Sequence, residues 1–126
     1  MDTDSVRVAT ESEALEALSA DGVVERLLTK IDRIERGDLY IVNERMLLAL
    51  MPHGDSMVEA HIAEPKEHWM HVHTDIDESL IFIQSLGYNE VYTNVRESLK
   101  TTLNLLKKHD FEQIETINGE VILRWA

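Results

Sequence analysis

The sequence predicts an α/β domain around a mixed sheet, and three observations carry that prediction. Strand-like and helix-like periodicities alternate along the chain, two terminal strand candidates flank Asn118-Gly119, and the composition supports a buried core. The chain has 126 residues, 44% hydrophobic and 29% charged, which suits one domain and excludes compositional disorder. The expected order is β-α-α-β-β-β-α-β-α-β-β, a central twisted sheet flanked by helices, in a single domain over residues 1–126.

Each element has a local reason. Ser5 to Thr10 alternates polar and apolar residues, as a short strand does. Thr10 and Glu13 form a T-x-x-E capping box that satisfies free helix-start amides and opens a helix over Glu11 to Leu18. Asp21 and Gly22 interrupt it; Val24, Leu27, Leu28, Ile31 and Ile34 then repeat at helical spacing, up to Gly37. Leu39 to Val42 and Met46 to Met51 are β-rich, with a turn over Asn43 to Arg45, and Pro52-His53-Gly54-Asp55 turns the chain again. Met57 to Ala63 alternates once more. Val58, Ala60 and Ile62 are expected on a buried face of a central strand, with Glu59 and His61 together on the other, pointing into the cleft beside that strand.

Pro65 suits the first turn of the next helix, because its φ is already helical. Trp69, Val72, Ile76, Leu80 and Ile83 give that helix its apolar stripe, and Gly87 stops it. Glu90 to Thr93 reads as a strand. Asn94 and Glu97 are expected to cap a helix over Arg96 to His109, with Leu99, Leu103 and Leu106 inward. Phe111 to Ile117 and Glu120 to Trp125 close the domain as a hairpin.

Charge and composition narrow the function. A net charge of -12 leaves no basic face for phosphate neutralisation, so duplex DNA is not an expected partner. The absence of cysteine removes disulfides, thiolate metal sites and a cysteine nucleophile. Met1-Asp2-Thr3-Asp4 has the wrong sign for a secretory signal, and no apolar run approaches the ~20 residues of a membrane span, so the expected location is the cytoplasm, with no membrane partner. His68, His71 and His73, followed by Asp75 and Asp77, invite a metal. However, His73 points away from a helical face shared by the other two, and no zinc spacing is matched, so none is expected. The acidic excess is a solubility device. As a lesser alternative, it mimics a phosphate backbone and inhibits a nucleic-acid enzyme.

The segments VEAHIAEPKEH, LIFIQSLGYNEVYTNV and LNLLKKHDFEQIETINGEVILRW, together with the element order, resemble the GNAT (general N-acetyltransferase) superfamily. The resemblance covers essentially the whole chain and is sharpest from Met57 onward. It implies a fourth and fifth strand that splay to admit acetyl-CoA, with the pyrophosphate on backbone amides of a Q/R-x-x-G-x-G/A loop. It implies Glu59 and His61 as catalytic candidates. It implies cofactor contacts at Ile62, Ala63, His68, Trp69, Met70, His71, Val72, His73 and Asn94. The E-x-H of the fourth strand is similar to small GNAT-like proteins of bacteriophages.

Two departures from the family pattern bear on activity. The loop reads H-W-M-H-V-H from His68, so His71 and His73 stand at its two small positions. Rings there crowd a phosphate, and Glu64 and Glu67 repel it. Leu106 stands where many family members carry a tyrosine acid, and Asp110 replaces the glycine before Phe111. The favoured expectation is therefore a non-catalytic binding or structural module, phage-associated, that works through a protein partner. The alternative is an acetyl-CoA-dependent N-acetyltransferase acting on a small primary amine.

Overall fold

The computed structural model describes residues 5–10, 12–13, 38–64 and 66–126. Seven strands form one mixed sheet: β1 (Val6–Val8), β2 (Asp38–Val42), β3 (Met46–Pro52), β4 (Met57–Ala63), β5 (Glu90–Arg96), β6 (Glu112–Ile117) and β7 (Glu120–Trp125), in spatial order β1-β2-β3-β4-β5-β7-β6. A 3₁₀ helix over Lys66–His71 leads into α1 (Val72–Ser85), and α2 (Lys100–Lys108) joins β5 to β6. Most of the two helices expected between β1 and β2 lies outside the described residues, as does Pro65. At the first of them Ser12 and Glu13 are helical, and the Thr10–Glu13 capping box is formed in both directions at 3.0 and 3.2 Å.

The sheet is antiparallel except at its centre. There β4 and β5 run parallel, because the 3₁₀ helix and α1 carry the chain back to the same end. Met46 to Leu50 of β3 is buried at every position, as a continuous apolar run predicts for a strand covered on both faces. One face, through Leu48, Leu50, Val58 and Ala60, meets Val72, Ile76, Leu80 and Ile83 of α1 and Leu103, Leu105 and Leu106 of α2 in the main core. Val58 is fully buried and Ala60 is 8% exposed, which places that side of β4 where the alternation predicts.

Two boundaries differ from expectation. β5 continues through Asn94 to Arg96, because Val91, Thr93 and Val95 keep a buried face alternating with partly exposed Tyr92 and Asn94. Asn94 is therefore a strand residue and caps nothing. The helix begins only at Lys100, behind Leu99, with no side-chain cap. The second difference follows Ala63, where the chain enters a 3₁₀ helix before the α-helix. The closing hairpin forms as predicted, with Asn118 and Gly119 both at positive φ, the conformation of a type I′ turn.

Candidate functional site

The site is built where the central pair of strands comes apart. β4 and β5 pair only from Met57–Glu90 to Glu59–Tyr92, yet β4 runs on to Ala63 and β5 to Arg96. Side chains alternate along β4, so the resulting fork has two chemically different sides.

On the α1/α2 side lies an apolar cavity of about 50 Å³, bounded by Ala60 and Ile62 of β4, Val91 and Thr93 of β5, Trp69, and Leu105, Leu106 and Phe111. Adjoining it is an open groove of about 350 Å³ between α1 and α2, lined by Trp69, Val72, His73, Thr101, Asn104, Leu105 and Lys108. The two share Trp69, Val72 and Leu105, so the apolar recess lies beside a groove that carries Lys108, Thr101 and Asn104. His73 is held at its rim. Its Nδ1 lies 2.8 Å from His109 Nε2, and His109 Nδ1 lies 2.9 Å from Asp77 Oδ1, a chain that ties the start of α1 to the end of α2.

On the opposite side of β4, Glu59 and His61 are both buried and share a hydrogen bond, His61 Nε2 to Glu59 Oε2 at 2.6 Å. His53, from the β3–β4 turn, places its Nε2 3.3 Å from Glu59 Oε1. His61 Nδ1 is buried and meets no hydrogen-bond partner among the described residues. Glu59 and His61 do share one face, as their spacing implies, but the apolar cavity opens on the other face. The reason is the two-residue period of the strand: whatever turns Ala60 and Ile62 toward α1 turns Glu59 and His61 away.

The remaining expected cofactor residues divide in the same way. Ile62, Trp69, Val72 and His73 border the cavity or groove. Ala63, by parity, lies on the Glu59 face, and Asn94 on the Tyr92 face of β5. Met70 is 82% exposed, and His68 sits on the 3₁₀ helix beside Glu67 at 3.5 Å. His71 occupies the N-cap position of α1 without a side-chain capping bond. In a 3₁₀ helix the later amides are spent on i→i+3 bonds, so this segment offers fewer free amides than an open glycine loop.

The charge at the end of β4 also differs from expectation. Glu64 is 5% exposed, and burial pushes its carboxyl up to about 9, so near neutral pH it is an uncharged acid. Among the described residues neither of its oxygens has a hydrogen-bond donor to accept from, whereas a proton on Glu64 lets it donate to Asp75. Asp75 is fully buried. Burial alone would raise its carboxyl, but Arg45 at 2.7 Å, the Glu64 proton and Asn43 at 2.7 Å together hold it below the usual range. Glu64 therefore does not repel an anion at the helix start, whereas the Glu67 carboxylate is exposed there.

Sequence reasoning missed His53, Thr101, Asn104, Lys108 and His109. Thr101, Asn104, Leu105 and Lys108 follow the three- and four-residue spacing of one helix face, a usable signal. His53 had none, because only the hairpin register brings it to Glu59.

No protein-family model matches the sequence, and no characterised protein matches it by sequence. Solved structures do match the fold. A GNAT family acetyltransferase from Elizabethkingia anophelis, solved with acetyl-CoA bound, superposes with a TM-score of 0.71 at 17% identity over 94% of this chain and 95% of that one. The chain has the GNAT fold. An IAA acetyltransferase from Bacillus cereus gives a TM-score of 0.71 at 13% identity, covering 94% of this chain and 96% of that one. Ribosomal-protein-alanine N-acetyltransferase from Brucella melitensis gives 0.66 at 13%, covering 95% and 98%. In this GNAT fold the position expected to hold an acid, Leu106, is a buried wall of the apolar cavity.

Proposed function

We propose that this GNAT-fold protein is an acyl-CoA-dependent N-acyltransferase that acts on a primary amine. The observation that carries the reading is the apolar recess at the β4–β5 fork lying beside a groove that carries Lys108, Thr101 and Asn104. That sequence of environments suits a ligand with an apolar acyl arm and an anionic tail. The acetyl-CoA bound to the Elizabethkingia structure supports the same reading, and favours it over the non-catalytic module expected from the loop sequence.

The residues present fit such a cofactor. Ala60, Ile62, Val91 and Trp69 would enclose the acyl end. Lys108, His73, Thr101 and Asn104 would meet phosphate oxygens by charge and by hydrogen bonding, a substitute for the missing glycine amides. The bound thioester would supply the activated acyl group. The chain's own contribution is orientation of the two reactants; Glu59 and His61, expected as catalytic candidates, share a buried hydrogen bond on the face of β4 away from the cavity. Leu106 would offer no proton to a departing thiolate at that position. The absence of that acid is what remains of the module reading.

Calorimetry with acetyl-CoA tests the proposal. Wild type should bind, and ligand at roughly 100 times Kd should add about 2.7 kcal/mol of stability. Ala60→Val puts two methyl groups into the recess and should weaken binding at least tenfold while leaving Tm unchanged or raised, since a β-branched residue suits a buried strand. Wild type that binds no acetyl-CoA returns the protein to the module reading.

A further inference from the structure

The groove between α1 and α2 holds a histidine that is tied into a chain of hydrogen bonds. His73 Nδ1 lies 2.8 Å from His109 Nε2, and His109 Nδ1 lies 2.9 Å from Asp77 Oδ1. His73 is exposed and lines the groove, whereas the His109 side chain is only 7% exposed, between the two helices. An ionised carboxylate only accepts, so His109 Nδ1 carries a hydrogen and His109 Nε2 holds that ring's lone pair. His73 must then donate through Nδ1. Its Nε2 is the one nitrogen of the pair able to take a further proton with every bond kept.

We propose that the His73–His109 pair is a one-proton switch that makes anion binding in this groove depend on pH. It rests on the groove receiving an anion, as the acyltransferase reading requires for the donor's phosphates. Protonation of His73 Nε2 leaves the chain intact, and the imidazolium donates more strongly to neutral His109 than a neutral ring does. The new charge stands in the same groove as Lys108, Thr101 and Asn104. The Lys108 ammonium opposes that charge, and a bound anion reverses the balance. Anion and proton therefore each tighten the binding of the other by the same factor.

A second proton has no place in the joined pair. It would occupy His109 Nε2 and turn two N–H groups toward each other, in rings whose centroids are 5.0 Å apart. Uptake therefore stops at one while α1 and α2 stay linked. The proton comes from solvent, and no covalent bond to a heavy atom changes. The charged and titratable groups around the pair come from three elements. Asp77 is on α1, and Lys107 and Lys108 are on α2 with Asp110 just beyond His109. The 3₁₀ helix contributes Lys66, Glu67, His68 and His71, with Glu67 and His68 3.5 Å apart. His109 acts through His73 and is a positioning residue.

The probe for the test is 3′-dephospho-CoA, whose diphosphate diester stays ionised near neutral pH and adds no titration of its own. Calorimetry in two buffers of different ionisation enthalpy should show uptake of at most one proton per probe bound. The Kd should fall roughly tenfold or more from about pH 8 to about pH 6. His73→Asn keeps an N–H donor toward His109 but takes no proton, so its Kd should stay flat over that range, with no uptake. His73 lies at the surface, so this replacement leaves the core intact. In ¹⁵N-labelled protein without ligand, ring spectra should show His109 as the Nδ1–H tautomer. Added probe should move the His73 ring signals toward imidazolium while His109 stays neutral. A His109 Nε2–H tautomer, or a His73→Asn pH profile equal to that of wild type, overturns the switch. Probe binding without proton uptake overturns it too and leaves the acyltransferase reading standing. If the probe binds with uptake but acetyl-CoA acetylates neither tryptamine nor spermidine, the switch stands and the acyltransferase reading falls. Wild type that binds no probe at any pH overturns both.

Discussion

Glu64 is the residue whose environment most changes its chemistry. An ordinary glutamate with a value of 4.5 becomes an acid near 9, because its oxygens are buried beside the Asp75 carboxylate. Between those values the folded chain keeps a proton that the unfolded chain has released, so Glu64 favours folding in acid and this contribution drains away as pH rises toward 9. Asp75 acts in the other direction: its lowered value adds stability above the normal aspartate range, and that stability is lost as pH falls below that range toward the lowered value. Urea midpoints of wild type should therefore decline from neutral pH to about 9, whereas Glu64→Gln, which keeps a donor toward Asp75 and cannot ionise, should hold its midpoint across the same interval. A flat wild-type profile contradicts the assignment. Asp75 and Glu64 are both visible in the sequence as acids near a helix start. The pairing of Asp75 with Arg45 and Asn43, some 30 residues away, is not, because the β2–β3 turn reaches it only in the folded sheet.

At the scale of elements, the end of α2 shows how a family departure is absorbed. Asp110 stands at φ +69, and the amides of Asp110 and Phe111 bond the carbonyls of Lys107 and Leu106, the two-bond closure of a Schellman motif. Phe111 then packs into the core against the helix it has just left. The backbone thus adopts the geometry a glycine would favour, with an aspartate in it. Asp110→Gly should stabilise the fold by about 0.5–1 kcal/mol, measured as a higher urea midpoint with unchanged slope. A destabilised variant shows that the Asp110 side chain contributes more than its backbone strain costs. The Asn118-Gly119 turn and the α1 stripe were legible because each depends on neighbours a few residues away. The Asn94 cap was misread for the complementary reason: a plausible N-cap pair was outcompeted by pairing of Asn94 with Ile122 on β7.

For the whole molecule, 24 acidic and 12 basic residues impose a net charge of -12, and that charge acts against compactness. Raising ionic strength from ~0.01 M to ~0.15 M shortens the screening length from about 30 to about 8 Å, so Tm should rise with salt. The exposed ion pairs of Arg7 with Glu13 and Glu44 oppose this little, since such pairs contribute little to begin with, and the buried Arg45–Asp75 pair is screened least. A Tm that falls with added salt means that ion pairs outweigh the net repulsion. The sequence by itself determined the strands, the two described helices' apolar faces, the closing hairpin and the GNAT resemblance, since periodicity and turn chemistry are local and additive along the chain. It also set Glu59 beside His61, because a strand repeats every two residues. Tertiary structure alone decided that the β4–β5 pairing stops at Glu59, that His53 meets Glu59 and His73 meets His109, and that Glu64 is uncharged. Those outcomes depend on which distant segments share a face and how far water is excluded from it, and neither is written in any short stretch of sequence.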